Sequence, residues 1–237
     1  MGNILVTGGA NGIGRSVAAL LSSEGHKVFI ADIDEKEGKK TAKETGAVFI
    51  KTDVSDEESV KKCAAAVAKE GPLLALINNA AIADPYTHSL KDVTAAEFSR
   101  VISVNLTGVF LCSKYAHTAM QKGSGIINIA STRAFQSEKD TFAYSASKGA
   151  VVALTHSLAV SLGPDIRVNC ISPGWINTDN TYVPTEKDNA QHPAGRVGTP
   201  DDIAHLISFL ISDKASFITG QNFTADGGMT VKMIYDE

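Results

Sequence analysis

Seven short runs dominated by apolar residues punctuate this chain, at 4–7, 28–31, 48–52, 74–78, 126–130, 167–171 and 222–225. Each is too short to be a helix, and most lack the in–out alternation of a half-exposed strand. That is the pattern of strands buried on both faces. Between them lie segments with helical spacing, marked by Ile13, Val17, Leu20 and Leu21 in the first and by Val60, Ala64 and Val67 in a later one. Buried strands interleaved with helices point to an α/β fold, a parallel sheet with helices on both faces. All seven prolines fall outside or at the edges of these segments, so the turn signals agree with the assignment. With no internal repeat, linker or low-complexity tract, one domain spanning 1–237 is expected.

Composition narrows the functional classes. Charged residues make up 20% of the 237, the formal net charge is −4, and no polybasic run or aromatic-basic stripe appears. Nucleic acid is therefore not an expected partner. No stretch reads as a signal peptide or a spanning helix. Cys63, Cys112 and Cys170 are scattered, without metal-ligand spacing, and read as buried small side chains in a reducing compartment. The expectation is a cytoplasmic protein with neither membrane nor metal. The segment 94–120 carries Phe98, Val101, Ile102, Val104, Leu106, Val109, Phe110 and Leu111 on more than one face, so it needs cover on both sides, and a subunit interface is expected there.

The first strand runs through Thr7-Gly8-Gly9-Ala10-Asn11-Gly12-Ile13-Gly14 into the first helix. Gly8 permits a tight turn, Gly12 lets the backbone approach a pyrophosphate, and Gly14 lets helix and strand pack closely, while the helix start offers free N–H groups to phosphate. The second strand ends at Asp32, where a carboxylate can accept hydrogen bonds from both hydroxyls of an adenosine ribose and repels a 2′-phosphate. Asn11 and Ile33 supply no cation for such a phosphate, so NAD is expected over NADP. A plain helix N-cap is the alternative role for Asp32. Asp53-Val54 and Asn78-Asn79-Ala80-Ala81 end the next two strands on the rim where open α/β sheets bind ligands, the small Ala80 and Ala81 leaving room for a ring or ribose.

Tyr144 and Lys148 are four apart in Tyr-Ser-Ala-Ser-Lys, which puts them on one helix face, 13 and 17 residues beyond Ser131. A cation beside a phenol favours the phenolate and lowers its pKa from about 10. A phenol tuned in this way can exchange a proton with an alcohol or carbonyl oxygen that Ser131 holds.

Together these features make the chain similar, from Thr7 to Gly228, to the short-chain dehydrogenase/reductase family. The residues that carry the likeness are Gly8, Gly12 and Gly14, Asn78-Asn79-Ala80, Asn105 in Val-Asn-Leu-Thr-Gly, Ser131, Tyr144 with Lys148, and Arg167-Val168-Asn169 before Pro173-Gly174. Arg196 to Pro200, Thr219-Gly220 and Asp226-Gly227-Gly228 extend it. The resemblance implies a Rossmann-like doubly wound sheet of about seven strands in the order 3-2-1-4-5-6-7, with a nucleotide half over about 1–130 and a catalytic and substrate half over about 131–237. It implies a tetrad in which Tyr144 is the acid/base, Ser131 polarises the substrate oxygen, and Lys148 holds the nicotinamide ribose. The resemblance further implies that Asn105 kinks its helix and keeps a water in line with Lys148. It also implies that Pro173, Gly174, Ile176 and Thr178 seat the carboxamide end of the cofactor, and that the protein is a homotetramer or homodimer. Apolar residues at a terminus that would otherwise fray, Met233, Ile234 and Tyr235, are expected to pack on a neighbour or cap its pocket.

The pocket itself should be bounded by 83–90, 132–141 and 177–195, the last polar and read as a mobile lid. Arg133 is read either as a grip on a carboxylate or phosphate or as a surface partner of Glu138 or Asp140. His192 is read as a solvated lid residue, with contact to the substrate as the alternative. The expected activity is hydride transfer between NAD(H) and a secondary alcohol or ketone, the substrate small and polar, such as a polyol, sugar or hydroxy acid. A 3-oxoacyl-thioester reductase and an NAD(H)-sensing regulatory protein are the alternatives.

Overall fold

The strands fold into one sheet because their side chains alternate between two buried surfaces. A computed structural model describes residues 1–179 and 181–233; Ile234 and Tyr235 of the tail lie outside them. In chain order the elements are β1 (Asn3–Thr7), α1 (Gly12–Ser23), β2 (Lys27–Asp32), α2 (Glu35–Thr45), β3 (Val48–Lys51), α3 (Glu57–Ala68) and β4 (Leu73–Asn78). Then come α4 (Ala95–Ile102), a π-helical turn (Ser103–Thr107), α5 (Gly108–Ala116), β5 (Met120–Ile129), α6 (Phe142–Leu162), β6 (Arg167–Pro173), the short α7 (Glu186–Ala190), α8 (Pro200–Ile211) and β7 (Asn222–Ala225). The sheet order is β3-β2-β1-β4-β5-β6-β7, with every pairing parallel. The expected order is met. The chain reverses direction across the sheet between β1 and β4, so a crevice opens beyond the carboxyl ends of those two strands.

Ile4, Val6, Val28, Ile30, Ala75 and Ile77 face one side, against Val17, Ala18 and Leu21 of α1 and Ile203, Ile207 and Leu210 of α8. The intervening Leu5, Phe29, Ala31 and Leu76 face the other, against Val60, Cys63 and Val67 of α3 and Leu111, Cys112 and Ala116 of α5. Burying each such Ile or Leu contributes about 1.5–3 kcal/mol, and a one-residue slip in register would reverse both surfaces at once. Side-chain caps then fix the helix starts. Asp34 accepts from the Glu37 amide, Asp56 from the Glu58 amide, and Thr94 and Glu97 close a reciprocal box.

The interval from 94 to 120 is continuous through its π-helical turn. Ala95–Ala119 is long and apolar enough to cross a membrane by length and composition, although the sequence reading had no stretch of that kind. In this fold it lies against the sheet between α3 and α6, with Val104, Val109, Leu111 and Cys112 buried. Phe98 and Phe110 remain exposed on its far side. β5 begins at Met120, six residues earlier than its apolar run, because Gly123 in a left-handed conformation (φ +93°) lets the polar leader pair with β4 through a register shift. A polar leader gives no strand signal, so the early start is invisible to hydropathy.

Candidate active site

The crevice is built from the glycine turn outward. Gly8 (φ +64°) and Gly12 (φ +53°) take conformations that cost other residues dearly. A Cβ on Gly8 would lie 2.7 Å from the Ala80 Cα, and one on Gly14 would lie 2.1 Å from the Gly8 carbonyl oxygen. Gly8 therefore brings β1 against the end of β4, and Gly14 supports the turn from behind rather than lining the crevice. Asn79 fastens the same junction, donating to the Thr7 and Gly8 carbonyls at 3.1 and 2.9 Å. Thr7 Oγ1 accepts from the Asn79 and Ala80 amides.

The start of α1 has no side-chain cap from Asn11 and no acidic residue in its first turn. Its leading amides are left for an anion, and the bare Gly12 provides a cradle that a Cβ would narrow toward Thr178, 3.2 Å away. These residues fit the pyrophosphate of a dinucleotide. At the end of β2, Asp32 accepts from the Ala10 and Asp34 amides, both at 3.0 Å, which aims its carboxylate at the turn. The N-cap of α2 is Asp34, not Asp32, so the capping alternative falls away.

The crevice has a volume of about 450 Å³. Gly8, Asn11, Gly12 and Ile13 line it beside Asp32, Ile33, Asp53 and Val54, then Asn79, Ala80, Ala81 and Thr178. Pro173, Gly174 and Ile176 do not. Pro173 is buried at the end of β6, Gly174 packs its backbone against Asp226, where a Cβ would come within 2.6 Å, and Ile176 bridges to Gly198. Ile82, Val104 and Arg100 line the wall and escaped the sequence reading. Ile82 simply continues the Ala80-Ala81 run. Arg100 carries no local signal; its guanidinium donates to Ser55 Oγ at 3.2 Å. Hydrogen bonds from Ser55 hold the Asp53 carboxyl below the usual carboxylate range, and the charge of Arg100 adds to the effect.

Behind that wall sits Asn105, fully buried in the π-helical turn. Its carbonyl oxygen accepts from the Ile82 amide at 2.8 Å, and its amide donates to the Ile82 carbonyl and to Ser147 Oγ at 3.2 and 3.3 Å. The expected distortion of the helix is a π-turn, a device that re-aims a side chain without ending a helix. Asn105 reaches α6 through Ser147, one residue before Lys148.

Tyr144 and Lys148 lie one turn apart on α6, and Ser131, just beyond β5, lies beside the Tyr144 phenol. Lys148 is 3% exposed; its ammonium donates to the Ile129 carbonyl at 2.9 Å and sits over the Tyr144 ring, 5.5 Å from its centroid. The expected lowering of the phenol by this cation does not occur in the cofactor-free protein. Burial pushes the Tyr144 pKa up, while the Ser131 hydrogen bond and the charge of Arg133 oppose the rise. Burial likewise lowers Lys148 to about 8, with Cys170 pulling weakly the other way. Desolvation by burial is the largest influence on both groups.

Two border residues depart from, or resolve, their sequence readings. His192 is 3% exposed rather than solvated; its ring lies 6.2 Å from Trp175, Nδ1 contacts the Asp188 carbonyl at 3.1 Å, and Nε2 is buried without a partner. With Trp175 stacked near Tyr182, and Tyr182 donating to Asp188 at 2.6 Å, the described part of 177–195 is braced around α7. Arg133 forms an ion pair with Glu138, as its surface alternative foresaw.

Comparison with known proteins agrees with this geometry. A family model described as enoyl-(acyl carrier protein) reductase matches residues 8–230. An uncharacterized oxidoreductase of Thermotoga maritima is 52% identical, covering 98% of this chain and 97% of its own. A trans-4-hydroxycyclohexanecarboxylate dehydrogenase of Sinomonas cyclohexanicum is 40% identical over 95% of this chain and 92% of its own. An NADP-dependent (R)-specific alcohol dehydrogenase of Lentilactobacillus kefiri is 36% identical over 96% of each. Among solved structures, an apo SCOR enzyme from Clostridium thermocellum superposes with a TM-score of 0.89 at 41% identity, covering 98% of this chain and 94% of that one. A short-chain dehydrogenase/reductase titled glucose/ribitol dehydrogenase, from Brucella melitensis, gives 0.89 at 32% identity, covering 98% and 97%. The chain belongs to the short-chain dehydrogenase/reductase family, oxidoreductases that act on CH–OH groups with a nicotinamide cofactor.

Proposed function

We propose that this protein is an NAD(H)-dependent dehydrogenase of a small polar secondary alcohol. The observation that carries the reading is the joint placement of Tyr144, Lys148 and Ser131: a phenol and an amine on one helix face, with a hydroxyl just past a strand end beside the phenol. Tyr144 takes the alcohol proton during oxidation and returns it during reduction, and Ser131 holds the substrate oxygen. Lys148, freed from the Ile129 carbonyl, holds the nicotinamide ribose. Asn105 keeps the crevice wall and α6 in register. When bound, the cofactor accepts or supplies the hydride.

The preference for NAD rests on Asp32. Its carboxylate is fixed by two backbone amides at the ribose end of the crevice, and Ile33 beside it is apolar. A relative is NADP-dependent by name, so cofactor choice is a property of these few positions rather than of the family. Asp32→Ala should lower the ratio of kcat/KM for NAD⁺ to that for NADP⁺ by about 10- to 100-fold, as expected for loss of a charged hydrogen bond worth about 1.5–3 kcal/mol. Absorbance of the reduced cofactor across a few dozen alcohols and ketones reads both the ratio and the substrate class; an unchanged ratio would defeat the ribose argument.

The polar 177–195 border supports a polyol, sugar or hydroxy acid, and a relative named for a hydroxycyclohexanecarboxylate falls within that range. Phe98 and Phe110 on the exposed side of α4 and α5, with Val160 on α6 at 84% exposure, support assembly through these helices into a homotetramer or homodimer. Light scattering at micromolar concentration should give at least twice the 24.9 kDa chain mass; a monomer would remove the interface.

A further inference from the structure

We propose that Arg133 and Tyr86 form a carboxylate receptor beside the catalytic tyrosine, that Glu138 occupies it in the resting protein, and that the substrate is a hydroxy acid whose own carboxylate displaces Glu138. The proposal deepens the dehydrogenase reading and rests on it for the position of the alcohol.

One turn of chain places both ends of the pocket. Ser131 caps the short 3₁₀ turn Thr132–Ala134, accepting from the Arg133 amide at 3.2 Å, so the hydroxyl that holds the substrate oxygen and the guanidinium two residues later share one rigid local frame. Arg133 follows Ser131 by two residues in this turn, so its guanidinium borders the same end of the pocket, and its charge favours the Tyr144 phenolate. Its side chain is 28% exposed, neither solvated nor sealed. The guanidinium lies 5.7 Å from the centroid of the Tyr86 ring, and the Tyr86 hydroxyl donates to Glu138 Oε2 at 3.0 Å. The same Glu138 oxygen pairs with the Arg133 Nη2. A guanidinium and a phenol hydroxyl therefore already converge on one carboxylate.

That carboxylate is weakly committed. The Glu138 side chain is 56% exposed, so the pair is screened by solvent and contributes little to stability. Arg133 is also under-served, because a guanidinium carries five N–H donors and its buried Nε has no partner. An incoming carboxylate can engage the fork in a two-point grip, which a single glutamate oxygen does not provide. Glu138 can leave without unravelling the border. Beyond it, the Asp140 carbonyl accepts from the Thr87 amide and hydroxyl at 2.8 and 3.0 Å, pinning 132–141 to 83–90. Asp140 holds φ +61°, an uncommon conformation for a non-glycine residue, which marks this corner as set by its surroundings. Rotation of the Glu138 side chain alone clears the receptor.

The test compares hydroxy acids with their primary amides, which keep the shape and remove the charge: 3-hydroxybutyrate, 4-hydroxypentanoate and 5-hydroxyhexanoate, each with its amide, oxidised by the wild type, Arg133→Gln, Arg133→Lys and Glu138→Gln. In the wild type, at least one acid should exceed its amide in kcat/KM by about tenfold or more. Arg133→Gln should bring that ratio close to one, Arg133→Lys should restore part of it, and Glu138→Gln should lower KM for the acid severalfold by removing its competitor. Equal rates for acids and amides in the wild type, or a preference that survives Arg133→Gln, overturn the proposal. Should the wild type oxidise no alcohol with either dinucleotide, the dehydrogenase reading itself fails. Calorimetric titration of the same acids and amides then still reads the receptor: acid binding lost in Arg133→Gln supports it, and equal binding of acid and amide refutes it.

Discussion

Tyr144→Phe is expected to cut turnover by about 10²- to 10⁴-fold, the span of general acid–base catalysis, while NADH binding, followed by fluorescence titration, stays close to wild type. The ring is retained, so its packing and the position of the Lys148 ammonium over it are kept; only the hydroxyl beside Ser131 is lost. The pH profile gives a second, independent reading. Oxidation requires the phenolate, and burial holds the Tyr144 pKa above its ordinary value of 10 in the cofactor-free protein, with Ser131 and Arg133 pulling it down. Oxidation by the wild type should therefore rise with pH into the alkaline range, and reduction, which uses the protonated phenol, should fall. The positive nicotinamide of NAD⁺ shifts the oxidation curve toward lower pH by favouring the phenolate. In the Phe variant the residual rate should lose this dependence. A wild-type profile flat from pH 6 to 10, or turnover that survives the substitution, would show that another group moves the proton.

The same residues show how far the sequence carries. All seven apolar runs are strands in the expected order, because parallel strands buried on both faces leave an unbroken hydrophobic signal. The glycine turn and Asp32 were legible because strand, turn and helix follow one another within thirty residues. The side-chain geometry around Tyr144 was not. Helical spacing correctly put Lys148 on the face of Tyr144, but it says nothing of how deeply both are buried. That burial reverses the expected direction of the Tyr144 shift. The Glu138–Tyr86 contact spans 52 residues and Asn105–Ile82 spans 23, each joining segments that only the completed sheet brings together. His192 was misread for a related reason: a polar, proline-flanked segment looks solvated, yet Trp175 and the Gly227 backbone enclose it.

Lys148→Met should abolish most activity and, in the cofactor-free protein near neutral pH, raise stability. The amine is 3% exposed, has the Ile129 carbonyl as its partner and faces no carboxylate among its described hydrogen bonds. Burial lowers its pKa from 10.5 to about 8. At about 1.36 kcal/mol per pH unit, keeping this charge folded costs about 3 kcal/mol below pH 8. The sign follows from proton binding. Between about 8 and 10.5 the unfolded chain binds the proton that the folded chain has released, so wild-type stability rises with pH across that window and is insensitive to this group below it. Methionine removes the charge but leaves the Ile129 carbonyl without its donor, which costs back about 1–2 kcal/mol. The net gain of about 1–2 kcal/mol corresponds to a Tm higher by about 2–8 °C for a chain of this size. The advantage should shrink above pH 8, vanish near about pH 9 and become a deficit of about 1–2 kcal/mol by pH 10.5, where the wild-type amine is neutral in both states. Thermal melts of both proteins at pH 7 and pH 10 check this, and a variant that is less stable at pH 7 with an unaltered pH slope would overturn it. The lysine is then a residue the fold tolerates at a cost, and a cost of that kind persists where the side chain is needed for chemistry.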